Sequence, residues 1–139
     1  MPRPALMIQD EIARVIVGIM PHPWKRIVLN YEIDDEEEMH SSAIFFHVVQ
    51  APSGELAIED EPFLPNEAEN LLFELQGAML ATAGSRWGIC DLLIEEDGRY
   101  AFTFDYGRAK RINAILDEAS YDRFKNYLVH YRAELTAAG

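Results

Sequence analysis

The sequence predicts an α+β domain, a meandering antiparallel sheet with helices packed on it, in the order α-β-β-(β)-α-β-β-α. Three observations predict it. Apolar residues recur at helical period near the start, the middle and the end of the chain. Between those segments lie short runs that either alternate apolar with polar or are apolar throughout, as strands do. The strands are joined by turn signals such as Pro52-Ser53-Gly54 and Glu96-Asp97-Gly98, too short for a crossover, so neighbours pair antiparallel. No internal repeat and no long linker divides the 139 residues, and one domain spanning 1–139 is expected.

The first helix is read over residues 4–20. Ile8, Ile12, Val15, Ile16 and Ile19 form one stripe, Asp10 and Glu11 sit opposite, and Pro21 and Pro23 stop it. Gly18 is a weak point inside it. From Trp24 to Ile33 the period drops to two. Ile27, Leu29, Tyr31 and Ile33 alternate with Arg26, Asn30 and Glu32, the pattern of a half-buried strand. The run Asp34-Asp35-Glu36-Glu37-Glu38 is a loop too charged to pack. Ala43–Ala51 is apolar on both faces, Ile44, Phe46 and Val48 against Phe45 and Val49, and is expected to be central and covered on both sides. Glu55–Glu59 reads as a short third strand.

The acidic, proline-bounded stretch Glu59-Asp60-Glu61-Pro62-Phe63-Leu64-Pro65 leads into the clearest helix. Asn66 is the expected N-cap, with Glu67 and Glu69 in the first turn where the helix dipole favours anions. Ala68, Leu71, Leu72, Leu75, Ala78 and Met79 form its stripe, and Gly84 ends it in a left-handed conformation. Trp87–Glu95 and Tyr100–Tyr106 form a hairpin around Glu96-Asp97-Gly98. A two-residue Asp-Gly loop sets Asp91 opposite Phe104, whereas a loop with Gly98 at the left-handed bulge position pairs Asp91 with Thr103 and Leu92 with Phe102, and the second register is preferred. The last helix runs from about Ser120 to Leu135, with Tyr121, Phe124, Leu128, Tyr131 and Leu135 along one face.

Composition narrows the function. Apolar residues make up 49% and charged residues 26%, ordinary for a globular protein. The longest uncharged apolar runs fall short of the ~20 residues of a membrane span. Met1-Pro2-Arg3-Pro4 lacks the apolar core of a signal peptide, and a cytoplasmic location is expected. A single cysteine, Cys90, excludes an internal disulfide. The net charge is −12 and the pI about 4.6. The acid is concentrated: residues 32–105 hold 18 acids against Arg86 and Arg99, while each flank is net +2. Phosphate and anionic-membrane binding need a basic face, so nucleic acid and membrane are not expected as partners. A strongly negative field instead steers cationic partners.

Motifs for catalysis are missing from the sequence. His22, His40, His47 and His130 stand in no metal-binding pattern; His40 reads as a solvated loop residue and His47 as a hydrogen-bonded sheet residue. Cys90, with no basic neighbour in sequence, reads as a structural thiol. There is no G-x-G-x-x-G, phosphate loop or G-x-S-x-G elbow. Asp91 and Asp105 project from paired strands like a carboxylate pair, but their neighbours supply no second role. The row Tyr100, Phe102, Phe104 and Tyr106 reads as packing rather than base stacking, given the surrounding charge. A protein without catalysis, cofactor or metal is expected.

Several blocks in succession carry a resemblance. They are a leading helix ending at Pro21-His22-Pro23-Trp24, then Lys25-Arg26-Ile27-Val28-Leu29-Asn30-Tyr31-Glu32, Ile44-Phe45-Phe46-His47, Arg86-Trp87-Gly88-Ile89 and Gly98-Arg99-Tyr100-Ala101-Phe102-Thr103-Phe104-Asp105-Tyr106. Over about residues 8–132 the chain resembles the YezG-type immunity proteins, bacterial antitoxins paired with polymorphic or contact-dependent toxins. The resemblance implies a cytoplasmic, non-enzymatic protein that binds a cognate toxin domain and blocks it, the toxin often being a nuclease. It supplies no binding residues by position.

The expected function is therefore inhibition of a basic, nuclease-class toxin. The acids proposed to bind it, Asp34, Asp35, Glu36, Glu37, Glu38, Glu59, Asp60 and Glu61, come from this chain's own charge pattern. A monomer or weak homodimer is expected. The alternative is an acidic chaperone for a secreted effector, a class with the same element order and low pI. A small enzyme using Asp91, Asp105 or a histidine is a third, weaker reading.

Overall fold

Proline carbonyls open both long helices. In the computed structural model, which describes residues 3–21, 23–34, 40–61, 63–106, 124 and 126–137, helix α1 spans Ala5–Ile19 and α2 spans Asn66–Ala83. The Pro4 carbonyl accepts the Ile8 N–H at 3.3 Å, and the Pro65 carbonyl accepts the Glu69 N–H at 3.0 Å. Both prolines have φ near −60° and extended ψ, which suits a cap position. The N-cap of α2 is thus Pro65, with no side-chain cap, and Asn66 is already helical. The proline ring sets the entry angle one residue before the polar side chain can cap. Gly84 closes α2 in the left-handed region at φ 81°, its N–H bonded to the Leu80 carbonyl, as expected.

The strands are β1 (Arg26–Asp34), β2 (His40–Gln50), β3 (Leu56–Asp60), β4 (Ile89–Glu95) and β5 (Tyr100–Asp105). They form one antiparallel sheet in the order β3-β2-β1-β4-β5. A last helix, α3, spans Tyr127–Ala137; the start of the expected 120–135 helix lies outside the described residues. The expected order of elements and the α+β class hold, and the optional third strand is real. The hairpin register holds as well: Asp91 faces Thr103, Leu92 faces Phe102, and Gly98 turns the loop at φ 92°.

One face of the sheet carries Ile27, Leu29, Tyr31, Ile33, Phe45, Cys90, Leu92 and Ile94. It packs on Ile8, Ile12 and Ile16 of α1 and Ala68, Leu71, Leu72 and Leu75 of α2. Each of those α1 isoleucines is fully buried, and truncating one to alanine costs about 2–5 kcal/mol. Gln76, buried in the same stripe, donates from Nε2 to the Trp87 carbonyl at 2.7 Å and ties α2 to the start of the second hairpin. Tyr100, Phe102 and Phe104 pack against this core in a contiguous row. The other face carries Val28, Phe46, Val48 and Leu56, covered by Tyr127 and Leu135 of α3.

Two expectations change. The central strand is β1, with β2 one place toward the edge. Moreover β1 is buried on both faces along its whole length, not half-buried. Partners replace water along it: Arg26 meets Glu95 of β4 at 2.7 Å and Glu134 of α3 at 3.0 Å, and Asn30 donates to Asp91 of β4 at 2.8 Å.

Candidate functional site

The acids at the end of β3 form the most prominent polar group on a sheet edge. Glu59 and Asp60 close the strand, both exposed, and Glu61 follows half-buried, its N–H bonded to the Phe45 carbonyl. Alternation sends Glu59 to the face that α1 and α2 cover, with His47, its register partner on β2, and Asp60 to the α3 face, across from Phe46. Phe63, 80% exposed, follows three residues beyond Asp60. From Glu55 to Leu64 the chain carries four acids and no base.

His47 organises two of these acids. Its ring is 1% exposed, with Nε2 3.0 Å from Glu59 Oε2 and Nδ1 2.9 Å from Glu61 Oε1. Neither contact has hydrogen-bond geometry, although both lie within ion-pair distance. His47 is therefore a sheet residue clamped between carboxylates, where a hydrogen-bonded one was expected. The clamp holds Glu59 and Glu61 on either side of one imidazole and leaves Asp60 pointing the other way.

Of the remaining proposed acids, Asp34 ends β1 opposite His40 and is 9% exposed, so it is set apart from the displayed carboxylates. Asp35, Glu36, Glu37 and Glu38 lie outside the described residues. The register sets Asp34 and Asp60 well apart along the sheet. Asp60 is level with Val28 through Phe46, and Asp34 is six residues farther along β1, roughly 20 Å at strand rise.

Other groups supply less. Asp91 accepts from Asn30, and Asp105 pairs in register with Ile89, both on the face that α3 partly covers. Burial, with the Asp91 charge beside it, pushes the Cys90 thiol far above its ordinary range, which suits a structural residue and not a nucleophile. Among the described residues no cluster of three or more histidine, cysteine or acidic side chains is arranged to hold a metal ion. A cavity of about 60 Å³ lined by Lys25, Glu95, Glu96, Asp97, Arg99 and Leu135 holds no more than a few waters. No described helix is long and apolar enough to cross a membrane.

Two features of this surface, the exposed Phe63 and the contact of His47 with two acids, were not read from sequence. Phe63 carried a signal: it stands between Pro62 and Pro65, which bar it from a ladder and from the following helix, so it has no regular element in which to be buried. The His47 clamp carried none, because it depends on β3 pairing with β2 in one register. No family model and no curated protein matches this chain.

Proposed function

We propose that this chain is an immunity protein: it binds a basic toxin domain of the nuclease class in the cytoplasm and blocks it, with no chemistry of its own. The observation that carries the reading is the acidic end of β3, where Glu59, Asp60 and Glu61 stand beside an 80% exposed Phe63. Carboxylates at a rim speed the approach of a cationic partner, while a solvent-facing aromatic supplies an anchor that becomes buried on contact. A nuclease site is cationic because it holds phosphate, and an acidic surface takes the place of the nucleic acid. The concentration of charge in residues 32–105 supports the same partner.

Co-expression with the C-terminal domain of the neighbouring toxin gene tests the proposal. The wild-type chain rescues growth, and replacing Glu59, Asp60 and Glu61 together by lysine slows association by about tenfold or more and flattens its dependence on salt. Charge reversal of Asp35, Glu36 and Glu37 measures the share of the first acidic segment. No rescue by the wild-type chain sinks the reading.

The element order α-β-β-β-α-β-β-α also suits an acidic chaperone for a secreted effector. A chaperone protects an extended N-terminal segment of its partner from proteolysis; an immunity protein binds a folded toxic domain. Limited proteolysis of the complex separates them.

A further inference from the structure

Among the described residues the sheet ends in a strand with one unpaired edge. Glu61 N–H bonds to the Phe45 carbonyl at 3.0 Å and Ala51 N–H to the Glu55 carbonyl at 2.8 Å, which sets the phase of the β2–β3 ladder. Residues 55, 57, 59 and 61 turn their backbone groups toward β2, so Leu56, Ile58 and Asp60 turn theirs outward. β3 is last in the sheet order, and among the described residues no strand pairs with its outer side. Helix α3 meets β3 through the Leu56 and Ile58 side chains, over a face of the sheet and not along its edge.

We propose that β3 is a strand-addition site for an extended, lysine- or arginine-rich segment of a protein partner. The segment's backbone pairs with Leu56, Ile58 and Asp60, its cationic side chains meet Glu59 and Asp60 on the two faces, and Phe63 anchors it where the strand ends. The proposal rests on the reading of the chain as a binder of a basic protein and says how that partner is held. Charge selects the occupant. Two copies of β3 laid edge to edge bring two acidic, base-free segments together, so the charge that discourages self-pairing favours a strand of opposite sign.

The probe is a synthetic peptide of alternating lysine and valine, with a glutamate–valine peptide as control and hydrogen exchange read at each backbone amide of the full chain. In the free protein the Leu56, Ile58 and Asp60 amides exchange fast. The lysine peptide slows them by about tenfold or more, and the glutamate peptide leaves them unchanged. Asp60→Pro removes one outward N–H without taking a bond from the β2 ladder, and Asp60→Asn removes the charge alone. Expected is binding about tenfold weaker in the proline variant than in the asparagine variant. Equal binding by the two variants, or binding with no slowing of the three amides, overturns the proposal. So does a free protein that is dimeric with those amides already slowed, because a second copy then fills the edge. No toxin takes part in this assay, so its failure leaves the growth-rescue result standing, and failed rescue leaves the edge pairing standing.

Discussion

Arg26 of the central strand holds Glu134 of the last helix at 3.0 Å, across 108 positions of the chain. The same guanidinium meets Glu95 of β4 at 2.7 Å and the Tyr127 hydroxyl at 3.1 Å, so one buried cation ties three elements together. Its side chain is nearly sealed from solvent while that of Glu134 is 57% exposed, which makes the two ends of the pair unequal. Arg26→Ala leaves Glu95 without its buried partner and costs about 3 kcal/mol, whereas Glu134→Gln costs less than about 1 kcal/mol. Denaturant unfolding of both variants measures the difference. Equal losses overturn the assignment of Arg26 as the latch.

The His47 clamp offers a second test, on the β2–β3 side of the sheet. His47→Leu keeps the volume but leaves Glu59 and Glu61 on either side of an apolar side chain with no polar group between them, a loss of about 1–3 kcal/mol. Adding Glu61→Gln to that variant removes one of the opposed charges and recovers part of the loss. If the double variant is no more stable than the single, repulsion between the two acids is not the cause.

Acid stability reports on the α1–α2 contact. Arg3 spans the two helices, paired with Glu11 and, at 2.7 Å, with Glu74. The Arg3 guanidinium holds the Glu74 carboxyl below its ordinary value of 4.5. Because the folded value is the lower one, the contribution is complete above pH 4.5 and is lost as pH falls through the folded value. The stability gap between wild type and Glu74→Gln is therefore open near neutral pH and closes on acidification. It also narrows in high salt, since the pair is partly exposed. A gap that widens toward low pH contradicts the pairing.

Gly18 and Gly77 are helical glycines at exposed positions, and a Cβ built at either meets nothing within 4 Å. Gly18→Ala and Gly77→Ala each add about 0.5–1 kcal/mol of stability through helix propensity alone. Gly98→Ala does the reverse, since its φ of 92° holds the β4–β5 turn in the left-handed region. Thermal unfolding of the three variants checks both signs.

Local chemistry made some features readable in advance. The β4–β5 register followed from a single preference of polarity, keeping the acid Asp91 away from the ring of Phe104, together with a glycine where the backbone turns left-handed. The α1 stripe of Ile8, Ile12 and Ile16 and the end of α2 at Gly84 followed from period and from the same property of glycine, whereas Ile19, read into that stripe, is 47% exposed at the end of α1. Of the candidate site, the charge of Glu59, Asp60 and Glu61 was legible, but their arrangement around His47 was not. That arrangement needs a partner strand in a definite register.

The chain alone determined which residues are helical, which are extended and where they turn, because period, proline and glycine act over a few residues. Folding decided which strand is central and which polar groups are covered. Arg26 alternates with apolar neighbours in sequence like part of an exposed face, and Tyr127 and Glu134 of α3, about 100 residues later, together with Glu95 of β4 take its guanidinium out of water. Burial is a property of what packs on a surface, and a two-residue repeat carries no information about a helix that distant in the chain.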